Sequence, residues 1–172
     1  EPDIITCAKG LTSGYVPMGA CIISEKIFQK ISGDDSQNAT FSNGFTYSGH
    51  PVSSAAALKN FEIIENEGLL EHVREISPYF QQRIKDLRKL PLVGDTRGIG
   101  LVGCVECQIV DPESKNSLRM DIEMGSLIDK NCQSMGLIVR PLWNMCVFSP
   151  PLVINKKQID DMFNILEKGI IK

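Results

Sequence analysis

The sequence lacks an excess of positive charge. Its 172 residues hold 18 basic and 21 acidic side chains, a net charge of -3. No basic cluster of the kind that tracks a phosphate backbone is present, which argues against nucleic-acid binding. No apolar run approaches the roughly 20 residues that span a bilayer. The uncharged stretch from Gly10 to Ser24 carries Gly14, Pro17 and Gly19 and reads as loops around a short buried strand. Internal repeats and low-complexity tracts are absent. The two histidines, His50 and His72, stand alone and suggest no metal: the first belongs at a helix start, the second on an exposed helical face. There is no initiator Met and no signal peptide before Glu1-Pro2-Asp3, so the sequence reads as a piece of a longer protein.

What is present suits a globular protein: 42% hydrophobic and 23% charged residues supply a core and exclude disorder. The length fits one ordinary domain, or a small domain plus part of a larger one. Six cysteines are scattered, and only Cys104 and Cys107 are close. They fall in an apolar segment that reads as a strand, where positions three apart point to opposite faces. A zinc site would need a second close pair, so the expectation is buried reduced thiols in a cytoplasmic protein.

Apolar periodicity and punctuation predict strands at residues 4–8 and 20–24 and a short helix at 25–31. Residues 32–49 read as polar and irregular. Pro51 suits a first helical position, and the helix is expected to run to about Glu67 and close at Gly68. A second long helix is expected at 69–89. Residues 93–110 read as two strands interrupted at Gly98 and Gly100, with Asp111 to Lys115 as a hairpin tip. A helix at 121–135, strands at 137–140 and 146–149, and a final helix at 156–168 capped by Asn155 complete the pattern. The second half, from about Gly68, reads as an α+β unit. The first half reads as the edge of a larger α/β sheet.

The densest chemistry lies in Pro2-Asp3-Ile4-Ile5-Thr6-Cys7-Ala8-Lys9-Gly10, followed by Gly14-Tyr15 and Pro17-Met18-Gly19-Ala20. A lysine directly after a buried apolar strand would be desolvated, which lowers its pKa. A neutral amine attacks a carbonyl and forms a Schiff base. The glycine after it lets another group approach the backbone. For an isolated Lys-Gly pair, a lysine on a surface loop is the plainer reading. Two further segments stand downstream. Asn43-Gly44-Phe45-Thr46-Tyr47-Ser48-Gly49-His50-Pro51 places a small hydroxyl just ahead of a helix start, where it could bind an anion or simply cap the helix. Gly136-Leu137-Ile138-Val139-Arg140-Pro141-Leu142 puts a guanidinium fork at a strand end, suited to a carboxylate or to a surface ion pair.

Together these segments, in this order, resemble the class III pyridoxal-phosphate-dependent aminotransferases of fold type I, in their ω-amino-acid:pyruvate branch. The resemblance covers essentially the whole chain and corresponds to the C-terminal part of a longer family member. It implies an α/β fold with residues 1–57 as part of the large cofactor-binding domain and 58–172 as the small domain. It implies that Lys9 binds the aldehyde of pyridoxal 5'-phosphate and shuttles the substrate proton. Thr46 would bind the cofactor phosphate across a homodimer interface, with Phe45 adding a backbone contact. Arg140 would bind the substrate carboxylate. Trp143 would line the pocket where the family often has glycine, which puts the substrate's identity in question. Arg97, in an Arg-Gly-x-Gly-Leu turn, is expected to be structural, and Tyr15 is a second candidate pocket aromatic. The implied reaction moves an amino group from an amine or ω-amino acid to a keto acid such as pyruvate, with no metal. The family's ring-stacking aromatic and ring-nitrogen aspartate lie upstream of Pro2, so these 172 residues alone are expected not to be an efficient aminotransferase. The alternative is a cofactor-free interaction or regulatory module built on the same fold.

Overall fold

The computed structural model describes residues 1–32, 43–108 and 114–172. The chain divides into two compact units, Glu1–Glu67 and Gly68–Lys172. The expected irregular segment at 32–49 and the expected hairpin tip at 111–115 fall largely outside the described residues, as does the end of the strand drawn to 110.

In the first unit, β1 (Ile4–Ala8) pairs antiparallel with β2 (Gly19–Ile23), in the register Ile4 to Ile23 through Ala8 to Gly19. Ser24 closes the ribbon by donating to the Asp3 carbonyl at 2.8 Å and precedes α1 (Glu25–Ile31). The strand was expected to be buried, and in this chain it is not: Ile4 is 54% exposed and Ile5 46%. A two-stranded ribbon covers neither of its own faces, so apolar side chains alone do not bury it. Helix α2 (Pro51–Asn66) starts where Pro51 takes the first helical position. It ends at Gly68, whose φ of 61° supplies the left-handed residue that terminates helices. Its buried residue is the small Ala57, while Val52, Leu58, Phe61 and Ile63 are exposed. An apolar surface distributed round a helix belongs to one that is covered on several sides.

The second unit is a four-stranded antiparallel sheet with three helices on one face. Its strands are β3 (Val93–Ile99), β4 (Val102–Cys107), β5 (Arg140–Leu142) and β6 (Met145–Phe148), in the order β3-β4-β6-β5. Helix α3 (Leu69–Asp86) buries Ile76, Phe80 and Ile84 at a spacing of four. Helices α4 (Ser117–Ser134) and α5 (Lys156–Ile171) complete the layer. Asn155 starts α5 with a capping box: its side chain accepts from the Gln158 amide at 2.9 Å and Gln158 reciprocates at 3.0 Å. The β3–β4 hairpin turns at Gly100, with φ 59°.

Strand alternation sorts the sheet into two faces. Inward lie Val105, Cys107, Cys146 and Phe148, which join Phe80 and Phe163 in the core. Outward, the pairings align Arg97, Cys104, Val147 and Arg140 across all four strands, and Asp95, Glu106, Met145 and Leu142 beside them.

Several expectations need correction. The strand drawn at 137–140 is instead Arg140–Leu142, because among the described residues it pairs with β6 alone, and the register starts at Arg140 opposite Val147. Residues 137–139 run unpaired from the left-handed Gly136, with φ 91°, and Val139 is buried in the core without belonging to a strand. Helix α4 begins at Ser117, four residues earlier than expected. His72 is not a free surface group: its Nε2 lies 2.9 Å from the Ile154 carbonyl oxygen. All six cysteines are free, but only Cys107, Cys132 and Cys146 are buried; Cys21 is exposed, and Cys7 and Cys104 are half-buried. Cys104 and Cys107 do face opposite ways, as strand geometry requires.

Candidate active site

Lys9 follows β1 directly and opens a single 3-10 turn, Lys9–Leu11. Its backbone is left-handed, with φ 51°, and Ser13 repeats this at φ 50° before Gly14 at φ 77°. Two non-glycine residues in that region within five positions are uncommon, and each costs about 1 kcal/mol. Such strain persists only where neighbouring groups over-determine it, and it concentrates at functional sites. The Thr12 hydroxyl, buried at 3% exposure, donates to the Val16 carbonyl at 2.6 Å. From α2, Asn60 Nδ2 donates to the carbonyls of Gly10 at 2.9 Å and Leu11 at 3.1 Å, while Ser13 Oγ donates to Asn60 Oδ1 at 2.6 Å. Nothing lies within 4 Å of where a Cβ on Gly10 would stand, so the backbone beside Lys9 is open. The expected desolvation of Lys9 is absent in this chain, where its side chain is exposed, for the same reason that β1 is exposed.

Thr46 sits in a turn in which the Ser48 amide donates to the Phe45 carbonyl at 2.9 Å and the Phe45 amide donates to Ser48 Oγ at 3.0 Å. The start of α2 is capped by His50, whose Nδ1 accepts from the Ser53 amide at 3.4 Å. Thr46 therefore does not serve as the cap. Its hydroxyl is exposed and makes no hydrogen bond among the described residues. The Phe45 amide is already engaged, and its ring, 80% exposed, borders a cleft of roughly 540 Å³ shared with Pro17, Met18, Tyr47, Gly49 and His50. Lys9 and Thr46 thus flank α2 at its middle and its beginning. Tyr15 is 88% exposed.

In the second unit, Arg140 opens the edge strand β5 and points to the outer face. It has no ion-pair partner among the described residues. Arg97, in the same row two strands over from β6, is fully committed: its Nη1 contacts Asp95 Oδ2 at 2.9 Å and Glu106 Oε2 at 2.6 Å. That bond holds the Asp95 carboxyl below its usual pKa. The structural role expected of Arg97 agrees with this pairing. Trp143 is 57% exposed and has a left-handed φ of 57° at the β5–β6 turn, a backbone position that favours glycine. Its carbonyl rests on Gly125 of α4, where any Cβ would collide with it and meet Pro141 Cβ at 3.1 Å. Burial pushes the core thiols up, Cys107 and Cys132 to about 11 and Cys146 to about 12, so they carry no thiolate chemistry at neutral pH. No group of side chains able to hold a metal ion occurs among the described residues. Among them, too, no helix is long and apolar enough to cross a membrane.

Sequence reasoning missed Asn60 and Gly125. Asn60 is one of several polar residues within α2, and its partners are about 50 residues away in sequence. Gly125 interrupts α4 without ending it, the pattern that marks a close packing approach.

This mixed α/β arrangement matches solved fold type I pyridoxal-phosphate-dependent transaminases. An aminotransferase from Vibrio fluvialis, solved in its PMP-bound form, aligns at TM-score 0.88 and 37% identity, over 99% of this chain and 38% of its own. An ω-aminotransferase from Paracoccus denitrificans aligns at TM-score 0.87 and 36% identity. The chain belongs to the class III aminotransferases, whose family model matches residues 1–170. A putrescine–pyruvate aminotransferase of Pseudomonas aeruginosa is 40% identical over 97% of this chain, and an uncharacterised aminotransferase of Sinorhizobium fredii is 39% identical over 99%. The chain spans 36% and 37% of the length of these two relatives. Class III aminotransferases depend on pyridoxal 5'-phosphate. The chemistry here fits that group: a primary amine on an open backbone, and a hydroxyl with no partner among the described residues.

Proposed function

We propose that this chain forms part of an aminotransferase that moves an amino group from an amine or ω-amino acid to a keto acid such as pyruvate. The observation that carries the reading is Lys9, held left-handed at the end of β1 in a turn anchored to α2. When bound, pyridoxal 5'-phosphate supplies the electron sink that makes the substrate carbon acidic. Lys9 Nζ would hold the cofactor through its aldehyde carbon and would move the proton at the substrate carbon. The Thr46 hydroxyl donates to the cofactor phosphate of a second subunit, which makes a homodimer the working form. Phe45 contributes its exposed ring to the same region rather than its occupied amide. Arg140 binds the substrate carboxylate, since its guanidinium is uncommitted while that of Arg97 is paired. Trp143 narrows the pocket beside it and limits the bulk of the substrate. In this reading residues 1–57 belong to the cofactor-binding domain and 58–172 to the small domain, and the enzyme works in the cytoplasm.

The relatives are catalysts, which favours this reading over a cofactor-free module. Its test is borohydride reduction of the complete protein with pyridoxal phosphate, followed by peptide mass spectrometry. The expected adduct lies on Lys9, and Lys9→Ala loses both the adduct and the cofactor's visible absorbance. An adduct elsewhere, or unchanged absorbance in Lys9→Ala, refutes the assignment.

A further inference from the structure

Lys9 stands in a loop held partly by its own turn and partly by a side chain of α2. Two left-handed non-glycine residues, Lys9 and Ser13, bracket the carbonyls of Gly10 and Leu11. Within the loop the Thr12 amide donates to the Lys9 carbonyl and the Ser13 amide to the Gly10 carbonyl, each at a long 3.4 Å. One side chain of α2 adds shorter bonds. The Asn60 amide group donates to both carbonyls, at 2.9 and 3.1 Å, and its oxygen accepts from Ser13 Oγ at 2.6 Å. Asparagine suits this task because one planar head offers two donors and an acceptor. Leucine, of similar shape, offers none. Aspartate keeps the acceptor but sets a negative oxygen against two carbonyls.

We propose that Asn60 is a positioning residue for the lysine. It locks the Lys9–Ser13 loop in its left-handed form against α2 and so fixes where the Lys9 amine stands. Because Thr46 lies just ahead of the same helix, α2 would carry both the amine of its own site and the hydroxyl that reaches the phosphate of the second subunit's site. This inference rests on Lys9 being the cofactor lysine. A displaced amine still bonds to the cofactor but transfers the proton poorly, so the loss falls on turnover rather than on keto-acid binding.

The experiment uses the complete protein with pyridoxal phosphate, comparing Asn60→Leu and Asn60→Asp with the parent. The expected result is a fall in kcat of roughly tenfold or more with the pyruvate KM nearly unchanged. Amide hydrogen exchange of the loop from Gly10 to Tyr15 should quicken by about tenfold, the effect of losing more than one hydrogen bond, while exchange within α2 stays as it was. The pH midpoint of the bound cofactor's visible absorbance should also move. Unchanged kcat and unchanged loop exchange in Asn60→Leu overturn the positioning role. So does a variant that only melts earlier, with the parent's kcat and pH midpoint below its melting range. Lys9→Ala separates the two claims: if it keeps the visible absorbance, the lysine reading fails and this inference fails with it. If Lys9→Ala loses the absorbance while the Asn60 variants behave as the parent, the positioning role alone fails. Should Asn60→Leu fail to accumulate, Ser13→Ala removes one of the three bonds and leaves α2 intact. Faster loop exchange in that variant supports the proposal, and unchanged exchange overturns it.

Discussion

Replacing Phe163 by alanine should remove the residue that ties the second unit together. Phe163 lies on α5 with no exposure. Its ring centroid is 5.3 Å from that of Phe80 on α3 and 5.7 Å from that of Phe148 on β6, both tilted, at 56° and 59°. One side chain therefore joins two helices and the inner face of the sheet. A fully buried phenylalanine cut to alanine costs about 3–5 kcal/mol in transfer and cavity terms. Two tilted aromatic pairs place this site toward the upper end. A domain of this size has only about 5–15 kcal/mol to lose. In urea, with a slope of about 1–3 kcal/mol per molar, the midpoint should fall by about 2 M. Far-UV circular dichroism of the purified chain measures it. Phe163→Leu, which keeps more of the volume, should fall by less than half as much. A midpoint shift under about 0.5 M for Phe163→Ala at unchanged slope would refute the reasoning, because it would mean the surroundings collapse without penalty.

Arg140→Ala in the cofactor-loaded complete protein should raise the pyruvate KM by about 10- to 100-fold, the loss of a charge-assisted pair, while Arg97→Ala, whose guanidinium is already committed, should change it far less; equal effects would sink the distinction. The Arg97–Asp95 bond also sets a pH dependence. A carboxyl held below its unfolded pKa adds stability above that unfolded value and loses it as pH falls through the folded one. The melting-temperature gap between the parent and Arg97→Met should therefore be full at neutral pH and narrow below about pH 4. Scanning fluorimetry across that range reads it, and a gap that widens in acid would contradict the sign.

The helices were legible because each carries its own punctuation. Pro51 opens α2, Gly68 closes it in a left-handed cap, and Asn155 and Gln158 box the start of α5. These signals act over four residues and need no distant partner. The last strand pair was misplaced because its limits are set by pairing. Leu137, Ile138 and Val139 look like a strand, yet β6 reaches back only as far as Arg140. Lys9 is proposed from a motif; the burial expected around it is absent, since burial depends on what covers β1 and not on how apolar β1 is. Asn60 and Gly125 escaped notice because their meaning lies in contacts with segments distant in sequence, a loop for one and a hairpin carbonyl for the other.

Of the two outward arginines, the proposed assignment of substrate recognition to Arg140 rests on neighbours rather than on residue type. On β3, Asp95 and Arg97 are two apart on one face and pair at 2.9 Å, with Glu106 across the ladder. On β5, the equivalent two-apart neighbour of Arg140 is Leu142, 42% exposed and opposite Met145. Successive same-face residues of a strand stand about 7 Å apart, within reach of a glutamate. Leu142→Glu should therefore rebuild on β5 the arrangement seen on β3 and occupy Arg140 internally. The guanidinium would remain, yet the pyruvate KM should rise toward that of Arg140→Ala, while an uncharged aldehyde acceptor is used as before. Leu142→Gln, which is polar but uncharged, should leave the pyruvate KM close to the parent's. If Leu142→Glu binds pyruvate as the parent does, then freedom from an internal carboxylate is not what selects Arg140, and its assignment would have to rest on position alone.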